Sequence, residues 1–593
     1  MRRRMAFACA VLAMATVISG MSAQAANGGF KTSRPTMLTK VMDGVTIAPI
    51  LSVGDVFGDS GFRFEAIPDG ISLKTRGRGR VDLYVNHETS KVPFPFGYSL
   101  ATPADPTASN GESDFDNSQV SQIALNQNSA GALDGSFVIP SSGGFQRFCS
   151  NYLATSKEGF DREILFTNEE SPDYVFRQEE SWPPPLSNEG AEENGVVLAL
   201  DIKSKQYHVI YGMGRHNHEN DVAIPGFDDL VVLSGDDTFT SGPLTGVPAP
   251  PAGTPAIAGP VYSQSQLYSY IASDTNSLLA DDGNLWAFVS NDPAVDDYYD
   301  FAPGSTQSVS GHFIEVPKAI ATGKNPDGSE VTAEDFNYPL PPTNGSWQRD
   351  LRTPVPTGID GPQWVLEYWS QINNVFDFVR VEDIAYDKRA GMGNVVYVVD
   401  SGRGRTDAQS LDTPFRSTNG RVWKMVLDPN DPTKVTSLSI EVEGDDNPVK
   451  TSNEIHQPDN IETTQKGFLV TEDPGSSQQF PVGSVDPAAT TARLWYVPFS
   501  GSPQVVVKID QSSDGDAGYD VDGRADGNLG AWETTGIVDA SAAFGAGAFL
   551  INVQAHTLWV DRALGTDNFP PAGPDFTFKR EGGQLLLIRI PGI

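Results

Sequence analysis

The run Ile164-Leu165-Phe166-Thr167-Asn168-Glu169-Glu170 is a strand-length apolar segment that ends abruptly in an amide and two acids. Its first four residues suit a buried strand, whereas the acids cannot be buried unless something neutralises them. The same pattern recurs at Asp82 to Glu88 (DLYVNHE), Leu230 to Asp237 (LVVLSGDD) and Leu285 to Asp292 (LWAFVSND). It returns at Val395 to Asp400 (VVYVVD), Gly467 to Asp473 (GFLVTED) and Phe549 to His556 (FLINVQAH). Copies spaced roughly 55 to 110 residues apart form a degenerate repeat with variable insertions, the mark of a β-propeller built from four-stranded blades. The pattern predicts an all-β propeller of six or seven blades with long inserted loops, in which strand ends bring distant carboxylates together at one mouth.

Working outward, the 593 residues carry 41 Lys and Arg against 76 Asp and Glu, a formal charge of −35. Such a surface disfavours nucleic acid as a partner. With 39% hydrophobic residues the chain can bury a sizeable core, and little helical periodicity follows residue 26, so a single domain over 26–593 is expected. The segments Ser99 to Gln119, Gly242 to Pro260 and Asp510 to Gly530 read as polar excursions. A monomer is expected, since no dimerisation helix is evident.

Arg2, Arg3 and Arg4 precede an apolar stretch from Met5 to Ile18, and Ala23-Gln24-Ala25 offers a cleavage site. Residues 1–25 therefore read as a signal peptide, and the expected location is secreted or periplasmic. No later apolar stretch is long enough to span a bilayer, so no stable membrane insertion is expected. With Cys9 in that segment, only Cys149 is left, and no internal disulfide can form; Cys149 reads as a small buried residue. In an acidic exported chain the usual tie between loops is then Ca2+, which takes hard oxygen ligands.

The acid pairs Glu169/Glu170, Asp236/Asp237, Glu382/Asp383 and Glu472/Asp473, with Asp459/Asn460 before the last, read either as solvated turns or as metal ligands. Histidines at His87, His218 and His556 read as structural or as part of a site. The alternating acids Asp514, Asp516, Asp520, Asp522 and Asp526 do not match an EF-hand and read as a flexible loop. No Gly-x-Ser-x-Gly elbow, Walker loop, His-Glu-x-x-His helix or paired CxxC is present, which argues against serine hydrolases and zinc peptidases. Arg403 and Arg405, in the Gly-rich turn after Asp400, read as anion-binding groups or as a solvated basic turn.

Taken in order, Ser52-Val53-Gly54-Asp55, Pro68-Asp69-Gly70, Val85-Asn86-His87-Glu88, Arg147-Phe148-Cys149-Ser150 and Asn168-Glu169-Glu170 resemble the PhoX-type alkaline phosphatase family. The order continues through Gly214-Arg215, His218-Glu219, Gly235-Asp236-Asp237, Val381-Glu382-Asp383-Ile384, Pro458-Asp459-Asn460 and Thr471-Glu472-Asp473 to Trp532-Glu533 and Val553-Gln554-Ala555-His556. The resemblance implies a secreted metal-dependent propeller that hydrolyses phosphate monoesters with calcium and iron. It implies Glu169, Glu170, Glu219, Glu382, Asp459 and Glu472 as metal ligands, with Asp237 and His218 matching less closely. Asn168 stands where the well-studied branch has a cysteine ligand to Fe3+; its carbonyl oxygen is a hard donor and argues for calcium alone.

Three functions are consistent with these residues. The first is a phosphomonoesterase acting on small phosphorylated substrates, with Arg403, Arg405 and His218 as its catalytic groups. The second is another calcium-dependent hydrolase, such as a lactonase or phytase-like enzyme. The third is a non-catalytic extracellular propeller whose clusters only tie blades together.

Overall fold

Apolar runs bounded by Gly, Pro, Asn and Asp hairpins pair with their sequence neighbours, and in the computed structural model this produces a chain of antiparallel meanders. The structure describes residues 28–88, 118–171, 174–175, 192–238, 247, 249–257, 265–341, 360–403, 418–445, 452–473, 490–510, 532–559 and 581–593. The expected signal peptide, Arg405, the Asp514 to Asp526 loop and most of the three polar excursions lie outside the described residues.

Six four-stranded units are traced. The first comprises Pro68–Gly77, Arg80–His87, Gln119–Asn126 and Ala132–Ile139. The second comprises Phe148–Ala154, Ile164–Glu169, Val197–Asp201 and Gln206–Ile210. The third starts with His218–Ile224 and Leu230–Asp236 and continues through Leu267–Ala272 and Asn284–Ser290. The fourth comprises Val381–Tyr386, Val395–Asp400, Arg421–Asp428 and Asp431–Glu443. The fifth comprises Pro458–Thr463, Gly467–Glu472, Arg493–Pro498 and Gln504–Ile509. The sixth takes Glu533–Asp539, Ala548–Trp559 and Glu581–Arg589, and its outer strand is Thr46–Ser52 from the other end of the chain.

The first strand of each unit abuts the first strand of the next, and the sixth returns to the first. The ring is thus closed, as in a propeller, which leaves a central channel. An extra strand, Ser308–Glu315, joins the third unit to the outer strand of the fourth, so these two form one continuous sheet. Leu38–Lys40 likewise adds a fifth strand to the fifth unit.

The core lies between neighbouring units. Ile71, Val81, Leu83 and Val85 of the first unit meet Leu550, Leu585 and Leu587 of the sixth, while Phe166 and Val197 of the second meet Ala223 and Val232 of the third. Each fully buried aliphatic side chain of this kind contributes roughly 1.5–3 kcal/mol. An insertion between units three and four carries the helix Pro362–Ile372, whose Gln363 binds Glu193, Ser171 and Asn194 beside the second unit.

The apolar runs of the sequence are second strands in units one, two, four, five and six and again at Leu230–Asp236. The seventh run, Leu285 to Asp292, is the fourth strand of unit three and does not found a unit. The innermost strands are the less apolar segments just before each run, because they face the channel.

Candidate metal centre

In every unit the innermost strand carries an irregularity at the same place. Between Pro68 and Ile71 the strand advances three residues while its partner moves from His87 to Val85. The same offset separates Phe148 from Asn151, His218 from Asp221, Val381 from Ile384, Pro458 from Ile461 and Thr535 from Val538. Such a bulge bends the strand and re-aims its side chains. The first bulged residues are Asp69, Cys149, Glu219, Glu382, Asp459 and Gly536, so one structural device repeated around the ring delivers ligand-type side chains to one mouth.

The second strands add acids by alternation. In units one, two, three and five the residue paired before the bulge, His87, Glu169, Asp236 or Glu472, turns into its own unit, and the acid after it, Glu88, Glu170, Asp237 or Asp473, faces the mouth. Glu169 accepts from the backbone N–H groups of Gln146 at 3.0 Å, Gly195 at 3.1 Å and Val196 at 3.3 Å. Glu472 accepts from His456 N–H at 2.7 Å, from the Arg493 guanidinium and from Trp495 Nε1 at 2.9 Å. Both carboxylates are held inside their units, and neither joins the cluster, although the family resemblance places them among the ligands. Their successors Glu170 and Asp473 do face it.

Three groups of side chains have ligand atoms within 4.8 Å of one another: Asp69, Glu88 and Cys149; Cys149, Glu170 and Glu219; and Glu219, Glu382 and Asp459. Shared members make them one continuous arc. Burial pushes the carboxyls of Glu170, Glu219, Glu382, Asp459 and Asp69 well above the usual range, and their mutual repulsion adds to it. Glu533 behaves alike, through burial and then Asp473. Burial, followed by the charge of Asp69, also pushes the partly buried Cys149 thiol up, and its Sγ donates to Asp69 Oδ2 at 2.8 Å.

Two cations offset this charge. Arg380 donates to both oxygens of Asp237 at 2.9 Å, and its Nη2 lies 2.9 Å from Glu382 and 3.4 Å from Asp473. Arg147 lowers the Glu170 pKa through its charge. Arg147 has a φ of 44°, and Gln457, at the corresponding position before Asp459, has 51°. Left-handed backbone is costly for such residues and is held here by the turn that enters the bulge.

Asn168 is fully buried and spans two units, its Nδ2 donating to the carbonyls of His218 at 2.6 Å and Glu219 at 2.9 Å. His218 is fixed between Ser234 Oγ at 2.8 Å and the Gly214 carbonyl at 3.1 Å, away from the mouth. Arg403 is buried, which lowers its pKa, and it belongs to none of the groups that form the arc. Asp237 is brought to the mouth, gripped by Arg380. The sequence-predicted set thus contributes Glu170, Glu219, Asp237, Glu382 and Asp459. Asp69, Glu88, Cys149, Glu533 and Arg380 were not identified from sequence as ligands or as their counter-charge, and Asp473 entered only as half of the Glu472/Asp473 pair. One signal could have found Asp69: Pro68-Asp69, Val381-Glu382 and Pro458-Asp459 each set an acid behind an apolar residue just ahead of an apolar run.

Beneath the arc lies a polar layer. Ser150 Oγ donates to Glu219 at 2.9 Å, Asn460 Nδ2 to Ser150 at 3.1 Å, and Asn220 Nδ2 to Asp383 at 2.6 Å. Below it the central channel opens to about 440 Å³ and runs along all six inner strands toward Lys74, Lys157 and Lys388. Two buried amide oxygens at the arc, Asn168 Oδ1 and Gln554 Oε1, have no hydrogen-bond partner among the described residues. No helix among the described residues is long and apolar enough to cross a membrane. Neither a protein-family model nor a curated protein matches the chain.

Proposed function

We propose that this chain is an exported, metal-dependent hydrolase of small phosphate monoesters, similar in reaction to the PhoX-type phosphatases its motif order resembles. The observation that carries the reading is the repeated bulge, which places acids from most of the units within ligand distance of one another beside the Arg380 guanidinium. Carboxylates so close and so buried need cations to remain ionised. The donor set fits calcium: hard carboxylate oxygens, with buried amide oxygens that have no donor of their own. Asp69, Glu88, Glu170, Glu219, Glu382 and Asp459 would hold the ions, which supply Lewis-acid polarisation of a phosphoryl group. Arg380 and Arg147 would orient phosphate oxygens, since a guanidinium donates in a planar fork. The polar layer of Ser150, Asn220, Asp383 and Asn460 would fix the carboxylates from below and separate the arc from the channel.

A non-catalytic, calcium-tied propeller is the second reading. One observation favours it: Arg380 already engages Asp237, Glu382 and Asp473, which leaves its fork less available to an anion. The separating experiment is hydrolysis of a chromogenic phosphate monoester after chelation and calcium readdition, with ions counted by elemental analysis. Turnover restored by metal and reduced at least about 100-fold in Glu382→Gln, with the fold retained, supports the hydrolase. Bound calcium with no turnover supports the scaffold.

A further inference from the structure

We propose that the cleft between units one and two, on the face opposite the mouth, holds an anionic polysaccharide chain. This surface is remote from the arc, and its role does not depend on the reaction proposed there.

The segment Lys74-Thr75-Arg76-Gly77-Arg78-Gly79-Arg80 sets four cations in seven residues of a chain whose acids outnumber its Lys and Arg by 76 to 41. It is the hairpin between Pro68–Gly77 and Arg80–His87, at the end of the inner strand away from the bulge. At about 3.3 Å per residue, that strand carries the hairpin roughly 25 Å from Asp69. Lys203 and Lys205 form a second basic tip in unit two, between Val197–Asp201 and Gln206–Ile210. The two tips meet, since Arg76, Arg80 and Lys205 line one open cleft of about 570 Å³. The acids nearby are engaged from within the protein. Asp82, a buried residue of the lining, pairs with Arg76, accepts from Gln122 Nε2 at 2.6 Å and lies 3.9 Å from Arg80. Asp134 accepts from Ser60 Oγ and the Gly135 N–H, Arg162 holds Asp201 at 3.3 Å, and Lys74 holds Glu163 at 2.5 Å. Arg78, Lys203 and Lys205 are exposed and take part in no ion pair among the described residues. Exposure decides the class of ligand. The Arg76 and Arg80 side chains are 44% and 54% exposed, so a contact with any single anion is weak in water. A chain that repeats its anionic groups meets Arg78, Arg80, Lys203 and Lys205 together, and linkage makes the weak contacts add. Ser60, Ser136 and Gln122 complete the lining with groups that exchange hydrogen bonds with sugar hydroxyls. No aromatic side chain is among the described residues of the lining, which disfavours a nucleic acid, whose bases stack on such rings. The formal charge of −35 disfavours a broad anionic surface, whereas a single thread reaches the two tips without approaching the acidic remainder.

The test uses the full chain in calcium-containing buffer at low salt, with dextran sulfate as the probe and neutral dextran as its control. Calorimetric titration is expected to show binding of dextran sulfate that weakens steeply as salt is raised, and no binding of dextran. Arg78→Ser/Arg80→Ser/Lys205→Ser is expected to lose at least about tenfold in affinity. Lys424→Ser/Lys434→Ser/Lys508→Ser removes the same charge from units four and five and should bind as the parent does. Melting curves accompany both, and Arg78→Ser alone, at an exposed turn, should keep the parent's melting profile and lose about twofold or more in affinity. Equal losses in the two triple variants overturn the proposal, as does binding that chelation abolishes, which would place the probe at the mouth. Displacement of the probe by an equal charge of inorganic sulfate, or equally tight binding of a single-stranded DNA oligonucleotide, also overturns it, the first in favour of a single-anion site and the second in favour of a nucleic acid.

Discussion

Glu169 and Glu170 are identical residues at adjacent positions with different jobs, and backbone direction alone separates them. Glu169 satisfies three buried N–H groups of its own unit, whereas Glu170 joins Cys149 and Glu219 in the arc. Glu169→Ala is therefore expected to cost about 2–4 kcal/mol of stability by orphaning those donors, with bound calcium unchanged. Glu170→Ala is expected to lose about one ion per chain and little stability once chelator is present. Denaturant unfolding with and without chelator, paired with elemental analysis, checks both; loss of ions in Glu169→Ala would refute the assignment. The sequence displayed the doublets but not which member points where. That depends on strand register, which local pattern leaves open.

At the scale of elements, the bulge turns an ordinary inner strand into a ligand-bearing one. Unit six departs from the others at this position: it has Gly536, with a φ of 49°, pressed against the carbonyl of Asp69 in unit one. Only glycine allows that approach where the ring closes. Gly536→Ala is expected to cost about 2–4 kcal/mol and to lower ion affinity at Asp69, while Gly226→Ala, at a φ of 101° with open space around it, should cost about 1 kcal/mol. Melting curves of the two variants test the contrast.

The helix Pro362–Ile372 buries Glu367, whose carboxyl is pushed by burial from 4.5 up to about 8, and Gln371 Nε2 bridges it at 2.9 Å to Asp377. Because the folded protein retains a proton that the unfolded chain releases above about 4.5, stability falls as pH rises from there toward 8. Glu367→Gln should match the parent near pH 4 and exceed it by about 1–3 kcal/mol at pH 8–9, read by denaturant titration. Equal pH profiles would refute this.

At the scale of the molecule, two features hold the ring shut: the strand Thr46–Ser52, which supplies the outer edge of the sixth unit, and the ions proposed for the mouth. Both join segments hundreds of residues apart. Removing calcium is expected to lower the melting temperature by more than about 10 °C, because carboxylates from several units then repel across the channel. Calorimetry in chelator, with calcium restored afterwards, tests this. The amino-acid sequence by itself determined the strand-length runs, the hairpin meanders and the all-β class, because hydrophobic pattern and turn residues act over a few neighbours. It also marked Glu170, Glu219, Asp237, Glu382 and Asp459 as acids that burial would have to reckon with. Only the tertiary structure decided that Leu285 to Asp292 is a fourth strand, that Glu169 and Glu472 turn inward, and that Asp69, Glu88, Cys149 and Arg380 converge with the rest. Those outcomes depend on bulge position and ring closure, which bring together residues whose separation along the chain carries no local signal.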